Sequence, residues 1–589
     1  MDIEADDMAF ENIDITDVKH VLRRPYRHRR CIIFVTIDDA QISLVDIEKM
    51  MEVGMNVARF KIAQYSKSEK EKLIFRFDKA AAFLAQKYGL PQWPCATCIE
   101  LKSSVVQTGT LEQDVPYITI EADTEIVLTC DASQMDRCNE QQIYVDNPYI
   151  SSDVTIGTEL NMSQDEIIMS CTSIINDKSI KCIVTEGGRL KPMSYVCMRN
   201  GTRTRPLLSK KDYNLIKFAV EYQMNMIIVN YPREIETIRK IKKILGSKSK
   251  RPKIIAGICT EEGVLNIDEF IREADGILLS REFLAYEVDK LLYNRMFLIQ
   301  SYICGKCRQA GKPLFISGGV FDMTLGNSSH TTREISDVTN AILQGVSGFT
   351  IGNSTSISNV IDVIKLMNDV CASVEPLTID RTAFWQLVSE IKMPVNAAEA
   401  SAMSCAVVAN QTNARCIIVP TVTGCTAYLL TWLQPNSIVI AVTTKIRTLR
   451  LLKTYRSVTP LLYKGSPRRT WSKTVQARVD FAIQYAVEKQ WIKYADHYVT
   501  LEKGSEESSF CDTVRIWTVI ITQRNTVECP ESYHDFNINL YLPLPVDDKK
   551  GKHKKRRKKN KQEVIKEEDG VTNEEGQEKD NYEETNQIH

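Results

Sequence analysis

The sequence predicts an α/β protein. Its centre is a (β/α)8 barrel, interrupted by a small inserted β domain and followed by a C-terminal α/β domain. Three observations carry this. Eight short β-branched runs are each paired with a helical pattern. The series breaks once, from about 104 to 205, and the pattern changes again near 385. Near-continuous apolar strands suit a parallel sheet buried on both faces. Eight β/α units over roughly 240 residues suit a closed barrel. A doubly wound open sheet is the alternative that length leaves open.

The elements follow in order. Cys31–Ile37 (CIIFVTI) precedes a helix around 43–53, and Met55–Ile62 (MNVARFKI) precedes one around 66–88. Trp93–Leu101 is the third strand. The interruption is rich in Thr, Ile, Val, Asp and Ser, with short strands such as Ile143–Asp146. The rhythm resumes with a helix near 209–222, the strand Met224–Tyr231 and a helix near 233–245. Lys253–Cys259, Ala274–Ser280, Pro313–Gly319 and Gly348–Asn353 complete the eight. In the last domain a helix near 396–409 leads to strands at Cys416–Pro420, Ser437–Val442, Pro460–Tyr463, His497–Leu501 and Thr513–Ile521. The expected organisation is an arm at 1–30, a barrel at 31–103 and 206–375, an inserted lid at 104–205, an α/β domain at 385–546 and a tail at 547–589.

Composition removes several classes. The chain has 589 residues, 75 Lys+Arg against 75 Asp+Glu, and 43% hydrophobic residues. That is ordinary for a globular protein, and zero net charge argues against a globally basic nucleic-acid binder. No apolar run approaches the ~18 residues of a membrane span, so no membrane partner is expected. The acidic opening MDIEADDMAF lacks the pattern of a signal peptide. Seventeen scattered Cys fit a reducing cytoplasm. The arm ends in the basic stretch 19–30. The tail carries ten Lys or Arg between Lys549 and Lys561, then ten acids from Glu563 onward. It has too few apolar residues to offset chain entropy and reads as disordered. The basic run 549–561 offers contact with RNA or an import receptor, hence nuclear entry. A self-neutralising, solubilising tail is the plainer reading.

The residues also resemble a family. MNVARF at 55–60, ADGI at 274–277, Gly311–Pro313 (GKP), ISDVTNAILQGV at 335–346 and the order of domains are similar to pyruvate kinase. The resemblance covers about 30–540. It implies transfer of a phosphoryl group from phosphoenolpyruvate to ADP with magnesium and potassium, and an oligomer of family chains.

Barrel chemistry sits at the C-terminal ends of the strands, and there this chain departs from the family pattern. The first strand ends in Asp38-Asp39 for the family's Gly-Pro. After the second strand Arg59 is kept, but Lys61 and Ala63 replace two oxygen ligands of the monovalent cation, and Gln64 replaces a His. After the third, Glu100 and Lys102 survive, while Leu101 replaces the Thr ligand. Hard cations need several oxygens, so the potassium site is degenerate, and Lys61 is expected to replace the ion by pairing with Glu100. After the fifth strand the catalytic Lys position is Gly257 and the metal-binding Glu position is Cys259. After the sixth, Arg281 remains, Glu282 replaces a Gly of the substrate turn, and Phe283 replaces the second metal ligand. After the seventh, Gly318 stands where the family has the Thr of proton transfer. After the eighth, the family's S-G-E-T becomes Gly352-Asn353-Ser354-Thr355. The lid segment Met193–Asn200 lacks the family's lysines. The effector-phosphate loop, matched by Thr421, Val422, Thr423, Gly424, Cys425 and Thr426, has lost its basic residues.

Other constellations are weaker. Cys95/Cys98 and Cys304/Cys307 form two CxxC pairs, a zinc pattern. One lies on a predicted strand whose alternate residues face opposite sides, the other on an outer helix. No His falls at a strand end, which argues against a His-based hydrolase. Asp38, Asp39, Glu100 and Glu282 read as solvated rim charges rather than a cation cluster. With each charge-stabilising group contributing a factor of ~10²–10³, the expectation is a family member with little or no catalysis. It would need no cofactor and act structurally or as an oligomer partner. The alternatives are an active pyruvate kinase with rearranged ligands, argued by Arg59, Lys102 and Arg281, and a binding module working through the tail.

Overall fold

The computed structural model describes residues 29–519, except 103–104, 114, 163–166, 199–205, 233, 247–250, 288–293, 328–331, 353–355, 379–380 and 392. The arm up to 28, the eighth strand's Asn353-Ser354-Thr355 and everything from 520, including the tail, lie outside the described residues.

The chain opens with β1 (Ile32–Ile37), β2 (Val57–Phe60) and β3 (Ala96–Leu101). The inserted lid then contributes β4 (Ile118–Ile120), β5 (Glu125–Thr129), β6 (Gln142–Tyr144), β7 (Glu159–Met162), β8 (Ile167–Asn176), β9 (Ser179–Glu186), β10 (Gly188–Leu190) and β11 (Val196–Met198). The barrel resumes with β12 (Met226–Val229), β13 (Lys253–Ile258), β14 (Gly276–Ser280), β15 (Leu314–Ser317) and β16 (Gly348–Ile351). These eight barrel strands close as β1-β16-β15-β14-β13-β12-β3-β2, all pairs parallel. The closed barrel is the predicted one, and the open sheet is excluded.

Alternation along the strands explains the continuous apolar runs. Ile32, Phe34, Val57, Cys98, Met226, Ile228, Leu278 and Phe315 fill the barrel interior. Phe34 and Phe315 meet edge to face at 4.7 Å. Their neighbours Ile33, Val35, Ala58, Ile227 and Ile316 turn outward against the helices. Helix starts follow local chemistry. Ser66 and Glu69 form a capping box for the helix Lys67–Lys87, as Ser209 and Asp212 do for Lys210–Glu221. Each satisfies backbone N–H groups that a helix end leaves open.

The third strand starts later than the sequence predicts. Pro94 has no N–H for the ladder, and Cys95 N–H turns back to the Trp93 carbonyl at 3.0 Å. The C-terminal sheet comprises β17 (Cys416–Pro420), β18 (Ile438–Thr443), β19 (Val458–Leu462), β20 (His497–Glu502) and β21 (Thr513–Thr518). Their order is β19-β18-β17-β20-β21, with β21 antiparallel to β20. β19 begins two residues before the predicted Pro460. Proline is tolerated there because β19 is an edge strand.

Candidate functional site at the barrel mouth

The alternation that fills the interior with apolar side chains places polar ones at its upper rim. Arg59, Glu100, Asn230, Ser280 and Ser317 all stand at strand C-termini and are at most 4% exposed. Arg59 Nε donates to Glu100 Oε2, and Asn230 Nδ2 donates to Glu100 Oε1 at 2.5 Å. Burial alone would push the Glu100 carboxyl up. The Arg59 guanidinium, Lys61 and the two hydrogen bonds outweigh it and hold the group below its ordinary value.

The expected Lys61–Glu100 pair is corrected here. Lys61 Nζ stands 3.9 Å from Glu100 Oε1 with its side chain 44% exposed, so it is an ion-pair neighbour without a hydrogen bond. Lys61 lies just past the end of β2, where its ammonium stays hydrated, whereas Arg59 sits inside the barrel beside the carboxylate. Ala63 is half-buried outside the barrel interior and packs against the surrounding core, and Leu101 faces outward into the same core.

The other retained cations are also engaged. Lys102 forms an ion pair with Asp146 of the lid. Arg281 Nη1 donates to Asp337 Oδ1 at 2.9 Å, its Nη2 lies 2.7 Å from Oδ2, and its Nε donates to the Gly318 carbonyl at 2.9 Å.

Two replaced positions are refilled by neighbours. A Cβ at Gly257 would lie 2.9 Å from Asn230 Oδ1. A Cβ at Gly318, whose φ is +83°, would lie 2.2 Å from Glu282 Oε2. Glu282 Oε1 accepts the Ser317 hydroxyl at 2.8 Å, and Oε2 is buried without a hydrogen-bond partner. Burial pushes the Glu282 carboxyl up, against the pull of Arg59 and Ser317. Cys259 is 1% exposed, and burial raises its thiol to about 12. It is a protonated thiol at neutral pH.

Phe283 packs against aromatic rings of both the inserted domain and the barrel. Its ring centre is 5.0 Å from that of Tyr195 in the lid and 5.3 Å from that of Tyr231 after β12. The two tyrosine hydroxyls hydrogen-bond to each other, and Tyr195 donates to Glu287 Oε1 at 2.8 Å. Asn230, Tyr195 and Tyr231 were not expected from the sequence. The visible signal for two of them is the end of the fourth strand, Asn230-Tyr231.

The Thr421–Thr426 turn joins β17 to the helix Cys425–Leu433. Gly424 adopts φ +82° at its start. Thr421 Oγ1 accepts Gly424 N–H at 3.0 Å, Thr423 Oγ1 accepts Cys425 N–H at 3.4 Å, and Thr426 hydrogen-bonds Cys511. The Thr421 and Thr423 hydroxyls serve the turn itself, and that of Thr426 ties it to Cys511. The zinc pattern does not assemble. Cys98 faces the barrel interior and Cys95 the outer core. Among the described residues, the three metal-ligating side chains found within 4.8 Å of one another are Cys31, Cys371 and Glu375, none of them a CxxC member. The expectation of solvated rim acids is corrected at two positions: Asp39 is exposed, but Glu100 is buried against Arg59 and Glu282 Oε2 is buried as well, because both carboxylates turn toward the barrel interior.

The chain therefore has three parts: a closed parallel barrel, a β domain inserted after its third strand, and an α/β domain that follows. The comparisons narrow this. The model of the pyruvate kinase barrel domain matches residues 28–358, and that of the pyruvate kinase alpha/beta domain matches 399–517. The chain belongs to the pyruvate kinase family. It is 26% identical to a pyruvate kinase of Candida albicans over 489 residues, 83% of this chain and 95% of that one. It is 26% identical to a human pyruvate kinase over 516 residues, 87% and 88% of the two chains. Against pyruvate kinase 1 of Saccharomyces cerevisiae the identity is 25% over 492 residues, 83% and 96%.

Proposed function

We propose that this chain is a pyruvate-kinase-family protein with little or no catalytic activity, acting as a structural or regulatory partner in an oligomer of family chains. The carrying observation is the refilled turn after β14. Phe283 is held between Tyr195 and Tyr231, and Glu282 fills the space beside Gly318, at the turn where the family resemblance expects metal and substrate.

The donor set supports this reading. A divalent ion needs anionic oxygens; the corresponding positions offer a protonated thiol at Cys259 and a ring at Phe283. Glu100 is engaged by Arg59 and Asn230, and the Lys61 ammonium stands in the monovalent-cation region. These residues do not fit magnesium or potassium. Gly257 supplies no cation for a transferring phosphoryl group, whose catalysis rests on positioning and charge stabilisation. The active-enzyme alternative would need Arg59, Lys102 and Arg281 to leave Glu100, Asp146 and Asp337.

The partner role draws on the helix Met296–Gln309, where Phe297 and Leu298 are 59% and 61% exposed. Among the described residues no helix is long and apolar enough to cross a membrane. A cytoplasmic location is part of the proposal, and contact of 549–561 with RNA or an import receptor is its alternative for the tail. Two measurements test the reading. Manganese relaxation enhancement in the presence of phosphoenolpyruvate is expected to stay at the free-ion value, and light scattering of the chain with an active relative is expected to show a shared oligomer. Tight manganese binding, or two species that never mix, contradicts it. Deleting 547–589 is expected to leave salt-dependent RNA binding unchanged; a lost salt slope would favour the tail as a binding module.

A further inference from the structure

Two thiols and a carboxylate converge where the barrel's first strand meets its last helix. Cys31 precedes β1, so the cluster lies at the opposite end of the barrel from the mouth. Cys371 stands in the last turn of the helix Ile357–Val374, and Glu375 caps that helix. Residues four apart share a helix face, so Cys371 and Glu375 both reach Cys31. The ligand atoms of the three lie within 4.8 Å of one another, and each residue is at most 1% exposed. The Cys31 and Cys371 thiols hydrogen-bond each other. Glu375 accepts the backbone N–H groups of Arg30 and Cys31 at 2.5 and 2.6 Å. Each carboxylate oxygen carries further lone-pair capacity, so both can still accept.

The donor set selects zinc. Thiolates bind it at about 2.3 Å and carboxylate oxygens at about 2.0–2.2 Å. Two such atoms on one tetrahedral ion stand about 3.6–3.8 Å apart, so a contraction of about 1 Å closes the cluster round a metal. The Val346 carbonyl oxygen, 3.6 Å from Cys31 Sγ, is placed as a fourth donor. Magnesium and calcium favour all-oxygen sets. Charge balances as well. Two thiolates, a carboxylate and a dication leave one negative charge, and Arg30 and Arg456 stand close enough to act on the cluster electrostatically.

We propose that Cys31, Cys371 and Glu375 hold a structural zinc ion that clasps the barrel's first strand to its last helix. Binding breaks two S–H bonds, forms two S–Zn bonds and releases two protons to solvent. The ligands are buried, so the metal enters as the chain folds. Ser457 N–H donates to the Arg30 carbonyl at 3.2 Å, which ties the C-terminal domain to the same seam. The site uses no residue of the mouth and stands whether or not the mouth is catalytic.

The test is the zinc content of the full chain, expressed in zinc-supplemented medium, purified with reductant and without chelator, and measured by plasma mass spectrometry after desalting. The expected result is about one zinc per chain, as a single structural site requires. Cys31→Ser and Cys371→Ser each remove a thiolate and should weaken binding at least about 100-fold, which empties the site on desalting; either variant decides if the other fails to fold. Cys425 is exposed, and Cys425→Ser should leave the zinc content unchanged. Cobalt supplied in place of zinc should show thiolate charge-transfer absorption, reduced in Cys371→Ser. A native chain without zinc, zinc retained by the folded Cys31→Ser and Cys371→Ser variants, or zinc lost with Cys425→Ser overturns the proposal.

Discussion

Gly318 and Glu282 form a pair whose coupling can be measured. Gly318→Thr restores the residue that the family resemblance expects. Its cost has two parts. A β-branched residue at φ +83° is strained by ~1–2 kcal/mol. Its Cβ would also stand 2.2 Å from Glu282 Oε2 and 2.8 Å from Glu282 Cβ, an overpacking worth ~1–3 kcal/mol. The expected loss is therefore about 2–5 kcal/mol. Glu282→Gly removes both side-chain clashes but leaves the Glu282 backbone nitrogen at 2.6 Å, so relief is partial. A double-mutant cycle should give a coupling of about 1–2 kcal/mol in favour of the double variant, within the range of residues in contact. The assay is hydrogen exchange of peptides spanning β15 across a urea series, which reads the barrel locally in a multidomain chain. Additivity of the two substitutions within ~0.3–0.5 kcal/mol would refute the claim that Glu282 fills the space beside Gly318.

Glu100→Ala leaves the Arg59 guanidinium buried without its carboxylate and should cost ~3–5 kcal/mol in urea unfolding; a loss under 1 kcal/mol would contradict the pair. Glu100 is held below its ordinary value of about 4.5, so its stabilisation is complete above that pH and is lost as pH falls through the folded value. Glu282 is shifted the other way, so its penalty grows as pH rises above about 4.5, and Glu282→Gln should stabilise the chain at pH 8 relative to pH 4. Equal effects at both pH values would remove that assignment. Phe283→Ala deletes two aromatic pairs worth about 1–3 kcal/mol together and should speed hydrogen exchange at Tyr195–Met198 in the lid; unchanged exchange would mean that the ring does not hold the lid.

The barrel was legible because its strands are buried on both faces. Ile32–Ile37 is buried at every residue, and such runs stand out whichever way each side chain points. Strand starts were less legible where a proline intervened, as at Ala96 and Val458. The candidate site was half legible. Gly257, Cys259, Phe283 and Gly318 could be placed by strand order and resemblance, because each sits at the end of an apolar run. Their partners could not. The Arg59–Glu100–Asn230 network joins β2, β3 and the end of β12, and the Tyr195–Tyr231–Phe283 cluster joins lid to barrel. Those meetings depend on barrel closure and lid placement, which no local pattern encodes. Lys61 shows the converse. Charge and register favoured it as the partner of Glu100, and a difference of two residues along β2 gave the hydrogen bond to Arg59.

The central claim is that this family fold has a mouth that no longer supports phosphoryl transfer. Its most direct test is pyruvate formation by the purified, folded chain with phosphoenolpyruvate, ADP, magnesium and potassium, read through lactate dehydrogenase. The account predicts turnover at the background rate of the coupled assay. Sustained turnover that scales with protein and is abolished by Arg59→Ala would contradict it.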